Sequence, residues 1–184
     1  MTPKETENAR RLAAATLRGT TPAPARPALA FTLDATTPSD VTVWATRSHV
    51  ECSTVRPGLV RCTDVAPGTL GVPAATGRID ELSLEFDEHA HLVNVTALRS
   101  HMTPAEAAAA SQAIVSALNR DLGPPAGASG EFGESRFAAT GAGSISAVAY
   151  RFDDYVADVT AMNTPSGGPS VREHFMSTRT APPS

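Results

Sequence analysis

Three histidines have the spacing that best fits a metal site in this chain. His89 and His91 stand two positions apart after an acidic turn, and His101 follows ten residues later. Side chains at positions i and i+2 of a strand point to the same side, so His89 and His91 can reach one ion, with His101 as a third ligand. The alternative is a solvated hairpin turn, where polar residues are expected without a ligand. Such a short motif favours the turn, and we expect no cofactor.

Carboxylates near the same turn offer a second kind of chemistry. Glu81 and Glu85 alternate onto one strand face, which separates their backbones by about 13 Å at ~3.3 Å per residue. Glycosidase carboxylate pairs are closer than this. The sequence also has no G-x-S-x-G motif and no phosphate-binding loop with its lysine. These features favour a protein that is not an enzyme.

The two cysteines lie in two β-rich runs on either side of Pro57-Gly58. A three-residue loop, 56–58, would place Cys52 directly opposite Cys62, close enough for a disulfide. A two-residue loop would misalign them. The alternative to a disulfide is a pair of half-buried thiols in a reducing compartment. Their spacing does not fit a structural zinc site, which uses C-x₂₋₄-C pairs.

Composition limits the classes of partner and compartment. The chain has 184 residues, 41% of them hydrophobic, and a net charge of −4 with scattered arginines. This fits one globular domain and no nucleic-acid partner. No stretch of about 20 apolar residues predicts a transmembrane segment, and the first 20 residues show no secretory signal. Either the protein is cytoplasmic, or a signal or lipid anchor precedes Met1. The Pro-rich segment 19–27 is typical of a tether to an envelope domain.

Two helix starts and several strands position these residues. Thr37-Pro38-Ser39-Asp40 and Thr103-Pro104-Ala105-Glu106 both combine a hydroxyl N-cap, a proline at N1 and a carboxylate at N3. The first predicted helix ends near His49 and the second near Leu122. Strands are predicted at 28–34, in the cysteine hairpin, and at 79–86, 91–99, 145–152, 155–162 and 170–177.

An internal repeat organises these elements. Thr37-Pro38 recurs as Thr103-Pro104, and Phe86-Asp87 recurs as Phe152-Asp153, both at an offset of 66 residues. We therefore predict an α+β fold, an antiparallel sheet with two helices on one face, built from two degenerate α-β-β-β repeats. The predicted divisions are a flexible segment 1–27, a single domain 28–178 with repeats at 37–99 and 103–162 and a final strand at 170–177, and a tail 179–184.

This duplicated arrangement resembles tandem BamE-like and β-lactamase-inhibitor-protein-like modules. The residues that carry the resemblance are Thr37-Pro38-Ser39-Asp40, the stretch 118–125 (LNRDLGPP) and the turns Phe86-Asp87 and Phe152-Asp153. The resemblance covers residues 37–162 and implies a non-enzymatic protein-binding module at the cell envelope. Such modules often bind through the exposed face of the sheet.

One face of the predicted strands carries small and polar side chains and is our candidate partner surface. The residues predicted to contact a partner are Glu81, Glu85, Asn94, Thr96, Arg151, Asp158 and Thr160. The alternative is the solvated side of a one-layer sheet. We predict a periplasmic or envelope module that binds another protein, in an oligomeric state left open. The alternatives are a small metal-binding protein or enzyme using His89 and His91, or a cytoplasmic scaffold protein.

Overall fold

Helices, strands and turns are described for residues 3–138 and 143–179 of a computed structural model. The helices are α1 (Pro3–Leu17), α2 (Pro38–Ser48), α3 (Pro104–Leu122) and α4 (Glu134–Ala138), with 3₁₀ turns at Pro67–Leu70 and Ala74–Thr76. The strands are β1 (Glu51–Arg56), β2 (Leu59–Val65), β3 (Ile79–Phe86), β4 (Leu92–Arg99), β5 (Gly127–Ser129), β6 (Ser144–Arg151), β7 (Tyr155–Thr164) and β8 (Gly168–Ser177). Within these ranges, no helix is long and apolar enough to cross a membrane.

The strands form one antiparallel sheet in the order β1-β2-β3-β4-β8-β7-β6-β5. Each half of the chain contributes four strands that run in sequence from an edge to the centre. The last strands of the two halves, β4 and β8, pair there through residues 94–99 and 171–176. This arrangement confirms the predicted α+β class with an antiparallel sheet.

The strand order places the two halves symmetrically, but in a different alignment from the sequence offset. By position in the sheet, β3 corresponds to β7 and β4 to β8. The offset of 66 residues instead aligns β3 with β6. Either alignment matches apolar positions with apolar ones and polar positions with polar ones, because the alternation along a strand repeats every two residues. The alternation therefore favours neither alignment. The duplication therefore stays a prediction.

Both predicted helix starts have complete capping boxes. The backbone N–H of Thr37 donates to Asp40 Oδ2 at 2.8 Å, and that of Thr103 donates to Glu106 Oε2 at 2.8 Å. Each hydroxyl in turn accepts from the N3 backbone N–H. Because these bonds satisfy N–H groups that have no partner within the helix, they fix the residue at which each helix begins.

The two long helices α2 and α3 cover one face of the sheet. Trp44 of α2 and Ile114 and Leu118 of α3 lie in one buried cluster with the inward side chains of β3, β4, β7 and β8. Trp44 packs edge-on against Phe31, with ring centroids 5.0 Å apart, and its Nε1 donates to the carbonyl of Thr69. We call this side of the sheet the helix face and the opposite side the open face.

Within the segment predicted to be flexible, Pro3–Leu17 forms helix α1, which docks on the sheet, and an extended strap follows it. On the open face, Ala14 of α1 packs with Val156 and Met176. Arg10 is only 8% exposed, and its Nη1 donates to the carbonyl of Ser177 at 2.7 Å. This contact is hard to predict from the sequence, because the apolar stripe of α1 is formed mostly by alanines.

The strap that follows α1 is held by backbone hydrogen bonds. The N–H of Gly19 donates to the carbonyl of Phe152 at 2.9 Å, and the N–H of Asp153 donates to the carbonyl of Thr21 at 2.9 Å. A Cβ at position 19 would lie 2.3 Å from the carbonyl oxygen of Arg151, so the close approach requires glycine. The prolines of this segment therefore belong to a packed connection.

The predicted strand at 28–34 was wrong. Ala28 makes only isolated bridges, to Ala30 and Phe31. Leu29 and Asp34 have φ angles of 60° and 64°, in the left-handed region that interrupts extended backbone. The apolar side chains of this segment still reach the core, where Phe31 and Leu33 are buried.

Cys52 and Cys62 are directly opposed and form a disulfide, with their Cα atoms 4.0 Å apart. The connection between the strands is the two-residue Pro57-Gly58 loop, because Arg56 pairs with Leu59. A shift of register between Thr54 and Arg56 restores the opposition that this loop would otherwise remove. The disulfide is compatible with an oxidising compartment.

Replacing both cysteines by alanine should lower the free energy of unfolding by roughly 3 kcal/mol, since the bond closes a short loop in the unfolded chain. Urea unfolding of the wild type and of the Cys52→Ala/Cys62→Ala variant measures this difference. Dithiothreitol should destabilise the wild type by a similar amount and leave the double variant unchanged. Equal midpoints for the two proteins under oxidising conditions would contradict the prediction.

Replacing Arg10 by alanine should release α1 from the sheet. The guanidinium of Arg10 holds the Ser177 carbonyl and Glu7 in a buried site, and charge-assisted bonds of this kind contribute about 1–3 kcal/mol. Amide hydrogen exchange in residues 3–17 should become at least about tenfold faster while the central strands stay protected. The matched control is Arg11→Ala, because Arg11 is 44% exposed. Equal exchange in both variants would show that Arg10 does not hold the helix.

Candidate binding face of the sheet

The strand register brings all seven predicted contact residues onto the open face. Opposed pairs in an antiparallel sheet share a face, and the register pairs Glu85 with Asn94 and opposes Thr96 to Ser83 on one side and to His174 on the other. His174 is paired in turn with Asp158. The complete set consists of Glu81 and Glu85 on β3, Asn94 and Thr96 on β4, Arg151 on β6, and Asp158 and Thr160 on β7.

Three polar side chains, those of Arg151, Asp158 and His174, are joined near the centre of this face. Arg151 Nη2 donates to Asp158 Oδ1 at 2.6 Å, and His174 Nδ1 lies 3.5 Å from Asp158 Oδ2. The side chains of Arg151, Asp158 and His174 are each between 21% and 23% exposed. Sequence reasoning missed His174. The signal that would have found it is the alternation of the last strand, where Arg172, His174 and Met176 share the face opposite the core residues.

The pKa of Asp158 lies below its ordinary value of 3.8. Burial by itself raises this pKa, but hydrogen bonds from His174 and Arg151, together with their charges, lower it by more. Asp158 is therefore held as a carboxylate that both neighbours stabilise. A carboxylate engaged in this way is suited to orienting side chains rather than to exchanging protons near neutral pH.

The glutamates at the β3 end of the open face are also paired. Glu85 Oε1 accepts from Arg56 Nη2 and Glu85 Oε2 accepts from Asn94 Nδ2, each at 2.9 Å. Arg61 Nε lies 3.2 Å from Glu81 Oε1. The arginines of β1 and β2 therefore neutralise both glutamates.

Helix α1 covers one end of the open face and leaves a cleft of about 270 Å³ beneath it. Residues from both sides line the cleft, and they include Glu7, Arg10 and Leu17 on the helix and Asn94 and His174 on the sheet. The cleft divides the predicted residues. Glu85 and Asn94 line it, whereas Glu81, Thr96, Arg151, Asp158 and Thr160 are not among its lining residues.

The histidine candidates for a metal site do not come together. Asp87 Oδ1 accepts from the backbone N–H groups of His89 and His91, both at 2.9 Å, and this turn is exposed. His101 follows the far end of β4, roughly 30 Å away along the strand. It therefore cannot act as the third ligand. Within residues 3–138 and 143–179, no group of three histidines, cysteines or carboxylates is placed to hold a metal ion.

Replacing Asp158 by asparagine should destabilise the protein at pH 7 by about 1–3 kcal/mol, since two charge-assisted contacts are lost. The folded pKa of Asp158 is lowered, so its stabilising contribution is present above the unfolded pKa of about 3.9 and is lost as the pH falls through the folded value. The stability difference between wild type and variant should therefore shrink below about pH 4.

Urea unfolding at a series of pH values measures this difference. The control is Asp121→Asn, because Asp121 forms an ion pair with the exposed Arg120 next to it in the chain. That variant should change stability by less than about 1 kcal/mol. A difference for Asp158→Asn that stays constant from pH 7 to pH 3 would rule out the proposed electrostatic role.

No protein-family model matches this chain, and no curated protein or solved structure matches it significantly. The resemblance to BamE-like and β-lactamase-inhibitor-protein-like modules stays a prediction carried by the residues quoted for it. The function of the chain is therefore inferred from the geometry of the open face.

Proposed function

We propose that this protein is a non-enzymatic binding module of an extracytoplasmic compartment, and that it binds another protein through the open face. The observation that carries the proposal is the gathering of the polar residues of four strands on one sheet face that α1 covers at only one end. The rest of this face includes Leu98, Thr160 and Arg172, which lie in one row across three strands.

The shape of the uncovered area favours a protein as the partner. Ser83, Thr96, Ala147 and Ala149 have short side chains, so the strands between the charged groups form a broad and shallow surface. Small-molecule sites are usually concave, whereas protein interfaces bury about 800 Å² on each partner. An extended face of this kind suits the second class.

Apolar groups at the edge of this area also favour a protein as the partner. Ile145 is 59% exposed and is paired with Met162, beside the row that contains Thr160. Arg172 is exposed between Leu98 and Thr160. Arginine and methionine are enriched at protein interfaces relative to the rest of a protein surface. We infer that the contact centres on strands β7 and β8.

The order of three side chains across the open face favours an enzyme over a binding module. Thr96, His174 and Asp158 follow one another across the sheet, in the order of a nucleophile, a base and an acid. Within the described residues, however, no hydrogen bond joins Thr96 to His174. The backbone N–H groups of a central strand are also committed to its neighbours, so they do not supply an oxyanion hole. A binding role needs neither a nucleophile–base hydrogen bond nor an oxyanion hole, so we favour binding over catalysis for these residues.

The disulfide supports the proposed compartment. Disulfides persist in secreted and envelope proteins, and thiols are kept reduced in most cytosolic ones. Cys62 is fully buried in the core and Cys52 packs against it, so the bond secures the edge hairpin of the sheet. An exported module gains the most from such a bond, because it works without cytosolic chaperones.

Site-specific photo-crosslinking tests the binding face. A p-benzoylphenylalanine at Thr160 should capture a protein partner of defined mass in the cells that naturally produce this chain. The same group at Ser116, which is exposed on α3 on the other side of the molecule, is the matched control and should not capture that partner. The captured partner should also be lost when Arg172 is replaced by glutamate alongside the crosslinker.

Two outcomes would overturn the proposal. Capture of the same proteins from Thr160 and Ser116 would show that the open face has no specificity. Absence of any adduct from Thr160, at an expression level where a surface control reacts with ordinary neighbours, would show that no protein occupies the face.

A further inference from the structure

The helix face contains a cavity of about 190 Å³ between α3 and β8. Its walls include Leu70 of the first 3₁₀ turn, Ala117 and Leu118 of α3, and Glu173 and Phe175 of β8. Arg120 and Asp121 of α3 also line it. Leu29 closes one side. The cavity lies on the opposite side of the sheet from the proposed protein-binding face, so its role is independent of that function.

A buried carboxylate faces this cavity. Glu173 is 4% exposed, and its Oε2 accepts from Arg99 Nη1 at 2.8 Å across the β4–β8 pairing. Arg99 is 1% exposed. A buried ion pair is weak as a device for stability. Of the two residues, Glu173 lines the cavity, so its carboxylate is the polar group of the pair that a ligand there can reach.

The size and lining of the cavity define the class of ligand. An apolar cavity of about 150 Å³ accepts a benzene molecule, so this one accepts a ring with one or two further atoms. The leucines, the phenylalanine and the short alanine side chains of α3 offer an apolar volume, and Glu173 offers a hydrogen-bond acceptor. Arg99 balances the charge of Glu173, and Arg120 balances that of Asp121, the other carboxylate in the lining. The site therefore favours a ligand that donates a hydrogen bond over one that supplies a counter-charge.

A short constrained loop contributes Pro27 and Leu29 to the wall of the cavity. Leu29 has a φ of 60°, which is costly for a residue with a side chain. Tyr155 Oη donates to the carbonyl of Pro27, and this bond holds the loop against the sheet.

We propose that this cavity is a binding site for a small, mostly apolar molecule that donates one hydrogen bond to Glu173. The ligand class is a primary alcohol or amine on a ring or a short branched chain. Toluene, benzyl alcohol and benzylamine are suitable probes, because they share a ring and differ in the donor. Binding is read from ¹H–¹⁵N amide shifts of the full chain.

Saturable shifts are expected for benzyl alcohol or benzylamine at the amides of residues 113–121 and 173–175, with a Kd of about 1 mM or lower. Toluene should bind at least about tenfold more weakly, because it leaves Glu173 without a new donor. Whichever of benzyl alcohol and benzylamine binds more tightly identifies the donor as neutral or charged. Toluene binding as tightly as both would overturn the assignment of Glu173.

Ala117→Leu fills the cavity and should weaken the best probe by at least about tenfold. The matched control is Ser116→Ala, which alters the exposed side of the same helix turn and should bind as the wild type does. If Ala117→Leu does not fold, the comparison of the three probes on the wild type still tests whether the cavity binds a hydrogen-bond donor. Absence of saturable shifts for all three probes, or equal binding by folded Ala117→Leu, would overturn the site. Neither result bears on the crosslinking from the open face.

Discussion

The pairing of β4 with β8 is the constraint on which the rest of the structure depends. It joins strands that end the two halves of the chain, with residues 94–99 opposite residues 171–176. Once this pairing forms, both halves share one sheet, and α2 and α3 must cover the same face to bury its apolar side chains. The ion pair between Arg99 and Glu173 spans the pairing inside the core. The only large buried charges of the helix face are thus placed where the two halves meet, within the described residues.

The two faces of the sheet differ in how completely other elements cover them. The helix face is closed by α2, α3 and the 3₁₀ turns, and it retains a small cavity because alanines of α3 stand where larger side chains would fill the space. Among residues 3–138 and 143–179, α1 is the helix that covers the open face, through small contacts such as Ala14 with Val156 and Met176. A helix held by so few apolar contacts depends on Arg10 for its position. The protein therefore has a rigid side and a side whose cover is weakly attached.

Much of the candidate site was predictable because strand periodicity assigns a face without knowledge of strand order. Glu85, Asn94 and Asp158 were placed together correctly, since their neighbours in sequence are apolar and must point to the core. The capping boxes at Thr37 and Thr103 likewise depend only on local chemistry. Strand order depends on contacts between distant residues, and the sequence offset, which aligns β3 with β6, does not contain that information. The docking of α1 could not be predicted either, because alanine carries almost no signal of which face is buried.

The paired charges of the open face limit how it would recognise the proposed partner. Glu81, Glu85 and Asp158 each lie beside an arginine or a histidine, so a partner gains little by presenting an opposite charge to them. Their role is to hold neighbouring side chains in fixed positions. Specific contact then depends on the hydroxyl of Thr160, the exposed Arg172 and the apolar surface near Ile145. Because such contacts depend on shape and hydrogen-bond geometry, the rigidity supplied by the central strand pairing would make this face selective for the proposed partner.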